Sequence, residues 1–389
     1  MIRINILLVF LFLFLGCTSQ ETAEIKVGAE RTELYLSLLK DKNVALVVNN
    51  TSLVNGVHLV DFLLSKDIKL VKIFAPEHGF RGDVSAGGVV EDGKDTKTGL
   101  PVLSLYGKNK KPTAEQLAGI DVVIFDIQDV GCRFYTYIST LHYLIEACAE
   151  NDLPLVVFDR PNPNGDYVAG PIREEGFESF VGVDPIPIVH GCTVGELAKM
   201  INEEGWHKGD KKCKLAVIPN QNYTHKMLYS LPERPSPNLP NDLSVRLYPS
   251  LCFFEATSAS VGRGTEFPFQ VIGGLKSDLG TFEFTPRSIP GVSVNPLNKD
   301  KVCYGLDLRE LENVPKFTLK YFLDFYNKYE NEADFLTRVN WLNLLAGSDD
   351  LIKQIRDGKT EKEIVKSWQP ELLEYKKLRK KYLLYPDFE

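Results

Sequence analysis

The sequence predicts an α/β fold, in which a parallel sheet with helices on its faces is followed by a smaller α+β domain. From about residue 30, short apolar runs rich in β-branched residues alternate with longer amphipathic stretches, which is the pattern of repeated β-α-β units. Near residue 232 this alternation stops in a proline-rich connector. We therefore expect a first domain over residues 28–240 and a second over residues 241–389.

The strands of the first domain are predicted from four continuous apolar runs, at residues 44–48, 70–74, 122–125 and 155–158. Runs without polar alternation are typical of parallel strands that are covered on both faces. Residues 137–149 carry apolar side chains at helical spacing, so a crossover helix is expected between the last two strands. This order of elements predicts a Rossmann-like sheet.

The second domain is predicted to be mixed. It begins with the apolar run 251–254 and a glycine-bearing loop at 262–264, and a loop-rich stretch extends to about residue 315. Helical segments follow and end in residues 371–384. We expect this α+β domain to complete a cleft on the first one.

The first 17 residues have the features of a lipoprotein signal peptide. Arg3 precedes an apolar run at 6–15, and Gly16 and Cys17 follow it. The run is too short to span a bilayer, and Cys17 occupies the position of the acylated cysteine in a bacterial lipobox. A plain secretory peptide with a chance cysteine is the alternative. We expect an exported lipoprotein, periplasmic or anchored to the outer membrane through lipid on Cys17.

Composition and motifs argue against several classes of protein. The formal net charge of −7 argues against nucleic acid as a partner. The nucleotide-binding patterns GxGxxG and GxxxxGK[ST] and the hydrolase elbow GxSxG are absent, and the cysteines lack zinc-site spacing. No cofactor and no metal are therefore predicted.

Polar side chains follow each of the four predicted strands. Ligands of open parallel sheets bind beyond the carboxyl ends of the strands, so these groups mark the expected site. Asp, Asn, Gln and Arg match the hydroxyl and acetamido groups of sugars, and tyrosine rings pack against sugar faces. The candidates are Asn49; Glu77, His78 and Arg81; Asp126, Gln128, Asp129, Arg133 and Tyr135; and Asp159, Arg160 and Asn162.

Cleavage of a glycosidic bond usually needs two carboxyl groups, one of them protonated. Glu77 and Asp129 are the first candidates for this pair, Asp126 and Asp159 are in reserve, and His78 adjoins Glu77. A loop of the second domain adds three candidates, of which two acids compete for the second carboxyl role. These are Glu255, Arg263 and Glu266.

Structural roles are the alternative for these residues. An Asp or Asn after a strand often caps the next helix, and Arg160 could pair with Asp126 or Asp159 as scaffold. The loop with the second-domain acids could be a salt-bridged linker between domains.

Several long motifs resemble the NamZ family of exo-acting β-N-acetylmuramidases. They are PEHGFRGD (76–83), TGLPVLSLYG (98–107), DVVIFDIQDVGCRFYTYIST (121–140), VVFDRPNPNG (156–165), VAGP (168–171), SPNLP (236–240) and SVGRGTEFPF (260–269). The resemblance implies a glycoside hydrolase that releases terminal N-acetylmuramic acid from the non-reducing end of peptidoglycan-derived glycans. The family's cleft acids correspond to Glu77 and the run 126–129, while Cys132 and Ala256 depart from its pattern.

This substrate carries a lactyl carboxylate, which a guanidinium group can bind with two hydrogen bonds. The candidates for that clamp are Arg81, Arg133, Arg160 and Arg263. The acetamido group of the sugar also opens a substrate-assisted route. Two other functions remain open at this point: a periplasmic module that binds sugars without cleaving them, and a hydrolase of another bond, such as a deacetylase.

Overall fold

The computed structural model describes residues 24–81, 88 and 92–389. The predicted lipidation residue, Cys17, lies outside the described residues. In the part of the chain that is described, no helix is both long and apolar enough to cross a membrane.

The elements are numbered in chain order. The strands are β1 Val44–Val48, β2 Leu53–Val54, β3 Val57–His58, β4 Leu70–Ala75, β5 Gly93–Lys94, β6 Pro101–Ser104, β7 Val122–Asp126, β8 Pro154–Phe158, β9 Ala169–Ile172, β10 Pro187–Val189, β11 Lys214–Ile218, β12 Val271–Gly274, β13 Phe282–Phe284 and β14 Cys303–Asp307. The α-helices are α1 Leu36–Leu39, α2 Leu59–Leu64, α3 Ala114–Leu117, α4 Tyr137–Glu150, α5 Val194–Glu204, α6 Asp242–Leu251, α7 Lys320–Tyr326, α8 Glu332–Phe335, α9 Val339–Ala346, α10 Asp350–Arg356, α11 Glu361–Ser367 and α12 Gln369–Arg379.

The main sheet has the strand order β11-β8-β7-β1-β4-β6-β5, and all neighbours are parallel except β5, which pairs antiparallel with β6 at the edge. Counted along the chain, the six parallel strands follow the order 3-2-1-4-5-6 of doubly wound folds. The α/β prediction is confirmed. Each of the four predicted runs forms a strand whose ends lie within one residue of the predicted ends.

Burial explains why these runs form the centre of the sheet. Every residue of β1 and β7 is buried, so both faces of these strands are covered. Helix α4 forms where the crossover helix is predicted, and it packs against α5. The Thr193 hydroxyl caps α5 and the Glu196 carboxylate accepts from the Thr193 N–H, which satisfies the free donors of the first turn.

The second domain combines an antiparallel sheet of order β12-β14-β13 with helices α7 to α12. Its aromatic core is continuous with that of the first domain, since Phe253 packs edge-on against both Phe134 and Phe322. The last helix returns to the first domain, where the Arg379 guanidinium donates to the Gly191 carbonyl at 2.7 Å. The two domains therefore hold each other in fixed positions around the site.

Candidate functional site

A cavity of about 600 Å³ lies between the two domains, beyond the carboxyl end of β4. We call it the Glu77 cavity. The first domain, the proline-rich connector and the second domain all contribute to its walls. Its polar and aromatic lining includes Glu77, His78, Tyr106, Phe134, Tyr135, Thr136 and Tyr137; Ser236 and Asn238; and Tyr248, Glu255, Arg263, Phe269, Trp341 and the loop 292–297.

Glu77 follows β4 after one proline, so the strand end delivers its carboxylate into the cavity. The Thr136 hydroxyl donates to Oε2 of Glu77 at 2.7 Å. Burial, followed by the charge of Glu77 and a hydrogen bond with it, raises the pKa of the Tyr106 phenol. Two hydroxyl groups therefore surround a carboxylate that reaches the cavity.

The turn after Glu77 has an unusual backbone. His78 is buried and has φ +69°, and Gly79 has φ +79°. A residue with a side chain rarely adopts a positive φ, because its Cβ then approaches its own backbone. Glycine fits at the second position, whereas His78 holds the conformation under strain. The turn directs both Glu77 and His78 to the cavity.

Tyrosine rings form one wall. The hydroxyls of Tyr135 and Tyr137 donate to the Pro235 carbonyl at 2.7 and 3.1 Å, and their rings meet edge to face at 4.9 Å. Tyr248 packs edge-on against Tyr135 and against Phe269. The hydroxyls are committed to the connector, so this wall offers mainly ring surface to a ligand.

The second domain adds an ion pair to the cavity lining. Nε of Arg263 lies 3.0 Å from Oε1 of Glu255, and about a quarter of each side chain is exposed. The guanidinium also lies 5.0 Å from the centre of the Phe269 ring. Glu266, the competing acid, is exposed and lies outside the cavity lining. Glu255 is thus the second-domain acid that shares a cavity with Glu77.

The connector holds the loop 292–297 against the site. Asn238 sits in the turn closed by the Leu239 N–H and the Ser236 carbonyl, and its Nδ2 donates to the Val292 carbonyl at 3.1 Å. This loop contributes the rim of the Glu77 cavity from residue 292 to residue 297.

Three predicted candidates are held in a buried network outside the cavity lining. Arg160 binds Asp126 through Nε and Nη2 at 2.6 and 2.9 Å, and at most 3% of either side chain is exposed. Asp159 accepts from Thr193, Gly195 and Tyr385. Burial, followed by the charge of Glu196, raises the pKa of Asp159 to about 6. All three lie outside the cavity lining, so their contacts fit the scaffold alternative.

Asp129 and its neighbours are likewise buried outside the cavity lining. Oδ2 of Asp129 accepts from the Gly131 N–H at 2.6 Å, and Nε2 of His190 lies 3.7 Å from it. Gly131 has φ +77°, and a Cβ there would lie 2.1 Å from Oδ1 of Asn162, so this turn requires glycine. Asp129 shapes the strand end and does not share the cavity with Glu77.

Three amide side chains complete this buried layer. Nε2 of Gln128 donates to the carbonyls of Asp129 and Pro161, both at 2.8 Å. Nδ2 of Asn162 donates to the Cys192 carbonyl at 2.8 Å. Oδ1 of Asn49 accepts from the backbone and hydroxyl of Thr51. Gln128 thereby joins the ends of β7 and β8, whereas the contact of Asn49 stays within its own turn. None of the three amides lines the cavity, so their predicted contacts with a sugar are unsupported.

Of the four arginines predicted to clamp a carboxylate, Arg263 lines the cavity. Arg81 pairs with Asp95 at 3.0 Å. Arg133 is fully buried and donates to the carbonyls of residues 171, 186 and 345 at 2.7–2.9 Å. Burial, with nearby Arg173, lowers the pKa of Arg133 to about 9. Arg81, Arg133 and Arg160 are thus committed to internal partners, and the clamp role fits Arg263.

Several residues of the cavity were not predicted from the sequence. Thr136 and Tyr106 lie inside the motifs at 121–140 and 98–107. Thr136 directly precedes α4, and Tyr106 follows β6, a strand that the sequence pattern did not predict. Trp341 lies in a helix of the second domain without any local signal. Among the described residues, no three acid, histidine or cysteine side chains form a group that could hold a metal ion.

The fold and the cavity define a two-domain α/β protein that places a carboxylate at a strand end, in a cavity that the second domain also lines. The family models describe the same two parts: exo-β-N-acetylmuramidase NamZ, N-terminal, matches residues 44–243, and its C-terminal counterpart matches residues 246–385. The chain belongs to the NamZ family.

Relatives agree with this assignment. The chain is 39% identical to peptidoglycan β-N-acetylmuramidase NamZ of Bacillus subtilis over 90% of its own length and 89% of the relative. A crystal structure of a DUF1343 family protein from Bacteroides fragilis is 44% identical, with a TM-score of 0.87 over 94% of this chain and all of the other. A second such protein is 29% identical, with a TM-score of 0.81 over 93% and 99% of the two chains.

Proposed function

We propose that this chain is an exo-acting glycoside hydrolase that releases terminal N-acetylmuramic acid from the non-reducing end of peptidoglycan-derived glycans. The observation that carries the proposal is the shared cavity of Glu77 and Glu255, which has aromatic walls and hydroxyl groups around Glu77. Membership of the NamZ family supports the identity of the sugar.

In the mechanism we propose, Glu77 acts as the general acid. Its carboxyl gives a proton to the glycosidic oxygen as the bond to the anomeric carbon breaks. A water molecule supplies the new oxygen on the anomeric carbon and loses a proton to a carboxylate of the cavity. The Thr136 hydroxyl holds Oε2, so the orientation of the group is fixed before the substrate arrives. Glu255, paired with Arg263, is the second carboxyl group and stabilises positive charge that develops at the anomeric carbon.

Arg263 is also the group we propose for the lactyl carboxylate. Its Nε and Nη2 both donate to one oxygen of Glu255. Among the described residues, the hydrogen bonds of Arg263 involve only Nε and Nη2, so the third nitrogen, Nη1, is left for a ligand, and the side chain lines the cavity. Nη1 can therefore donate to a carboxylate of the ligand while the ion pair with Glu255 persists.

Release of chromophore from an N-acetylmuramic acid aryl glycoside tests the proposed reaction. We expect turnover of this substrate and much slower turnover of the N-acetylglucosamine analogue, which lacks the lactyl carboxylate. Preference for the analogue would refute the specificity. Binding without release would favour a sugar-binding module, and loss of acetate would favour a deacetylase.

Replacing Thr136 tests how Glu77 is positioned. Thr136→Val is expected to lower kcat by up to about 10-fold, because it removes the hydroxyl that orients the Glu77 carboxyl group, and such a hydrogen bond contributes roughly 0.5–1.5 kcal/mol. Steady-state kinetics on the muramic acid glycoside measure the effect. Thr136→Ser keeps the hydroxyl and should retain most of the activity. Equal rates for the valine and serine variants would show that the hydroxyl has no role.

We also propose that the protein is an exported lipoprotein, held at a periplasmic or outer-membrane surface by acyl chains on Cys17. The basic residue, apolar run and Gly16-Cys17 pair support this proposal. Each buried methylene group contributes roughly 0.8 kcal/mol to membrane attachment. In a detergent phase-partition assay, the intact protein should enter the detergent phase and a Cys17→Ser variant should stay in the aqueous phase. Identical partitioning of the two would contradict the anchor.

A further inference from the structure

Trp341 borders two spaces. It lines the Glu77 cavity, and it also lines a groove of about 460 Å³ formed by residues 337–341 and Leu344, which we call the outer groove. The same side chain borders both spaces. A glycan whose terminal sugar lies beside Glu77, and whose chain leaves the cavity past Trp341, would reach the outer groove.

The position of this ring is fixed relative to the acid of the second domain. The backbone N–H groups of Thr337 and Arg338 both donate to the Ala256 carbonyl, at 3.1 and 3.0 Å. Ala256 follows Glu255 directly in the chain. Trp341 lies in the first turn of α9, and its backbone N–H donates to the Arg338 carbonyl at 2.9 Å. The ring and Glu255 are therefore parts of one connected unit.

The side chains of the outer groove match the two kinds of surface on a sugar ring. Trp341 and Leu344 supply apolar surface for the C–H face, while Thr337 and Asn340 supply polar groups for the hydroxyl rim. The Arg338 guanidinium lies 5.0 Å from the indole centre, and no carboxylate pairs with it among the described residues. Its Nη1 donates to the Glu255 carbonyl at 3.5 Å, and the other donors are available to hydroxyl or acetamido oxygens of a ligand.

We propose that Trp341 and Arg338 form the binding position for the second sugar of the glycan, on the leaving-group side of the bond that is cleaved. The occupant is a neutral N-acetylated hexose that is linked to the terminal muramic acid. This inference rests on the proposed function, because it assigns the Glu77 cavity to the terminal sugar. It makes Trp341 a residue that selects oligosaccharides over single sugars.

Calorimetric binding in a Glu77→Gln background tests the proposal without turnover. The ligands are N-acetylmuramic acid and the disaccharide in which it is β-linked to N-acetylglucosamine. We expect the disaccharide to bind more tightly than the single sugar. Adding Trp341→Ala should reduce the ratio of the two affinities about 10-fold, through loss of aromatic contact. Trp341→Phe keeps a flat ring and should retain most of the ratio, and thermal unfolding checks that both variants are folded.

Three outcomes would overturn the inference. The Glu77→Gln protein could bind both ligands equally well, Trp341→Ala could leave the ratio unchanged, or it could weaken both ligands in parallel. Failure of the proposed function would give a different result. The unsubstituted protein would then bind the disaccharide and release no muramic acid, while the effect of Trp341 on the ratio of the two affinities would still be measurable.

Discussion

Glu77→Gln is expected to lower kcat on a disaccharide of N-acetylmuramic acid and N-acetylglucosamine by at least about 100-fold. A general acid typically contributes a factor of 10² to 10⁴, and glutamine has no proton of this kind to give. The variant keeps the shape of the side chain and an oxygen that accepts from Thr136. Quantifying released muramic acid under saturating substrate measures the effect.

Two comparisons separate proton donation from general damage to the site. A glycosyl fluoride of muramic acid has a leaving group that needs little protonation, so Glu77→Gln should slow its hydrolysis far less. Glu266→Gln is the matched acid substitution outside the cavity, where Glu266 is exposed, and it should behave like the unsubstituted protein. Activity of Glu77→Gln within a few-fold of normal on the disaccharide would remove Glu77 from the role.

Arg160→Leu is expected to lower the free energy of unfolding by about 3–5 kcal/mol, since it leaves the buried Asp126 carboxylate without its partner. Urea-induced unfolding measures this change. Lys353→Leu removes an exposed ion pair with Asp349 and should cost less than about 1 kcal/mol.

A double variant shows whether the buried charge causes the loss. Replacing Asp126 and Arg160 together by leucine should restore much of the stability, because a buried ion pair can be exchanged for apolar side chains at small net cost. If Arg160→Leu instead raised KM with an unchanged free energy of unfolding, the predicted role of Arg160 in substrate binding would be supported over the scaffold role.

The parallel sheet could be predicted because its signal is local. Each central strand is an uninterrupted apolar run, and a strand that is buried on both faces needs such a run, as β1 and β7 show. The strand-end rule also found Glu77, since its position after β4 follows from the strand boundary. The same rule could not separate a cavity residue from a buried one, because both kinds are polar and both follow strands.

That distinction depends on contacts distant in sequence. Arg133 is buried because carbonyls as far away as residue 345 accept its hydrogen bonds. Asp159 is buried because Tyr385 closes over it, 226 residues further along the chain. Trp341 reaches the Glu77 cavity through hydrogen bonds of residues 337 and 338 to residue 256. None of these pairings leaves a periodic pattern in the sequence.

The return of the last helix to the first domain has a consequence for the order of folding. During synthesis, residues 28–240 are complete before the carbonyl of Leu345, the guanidinium of Arg379 and the hydroxyl of Tyr385 exist. Until then, the polar groups that bond to those partners would be buried without all of their hydrogen bonds. Burying an unpaired polar group costs free energy. We therefore expect the nascent first domain not to reach its native packing on its own. The whole protein should fold in one cooperative event after nearly all of the chain has been made.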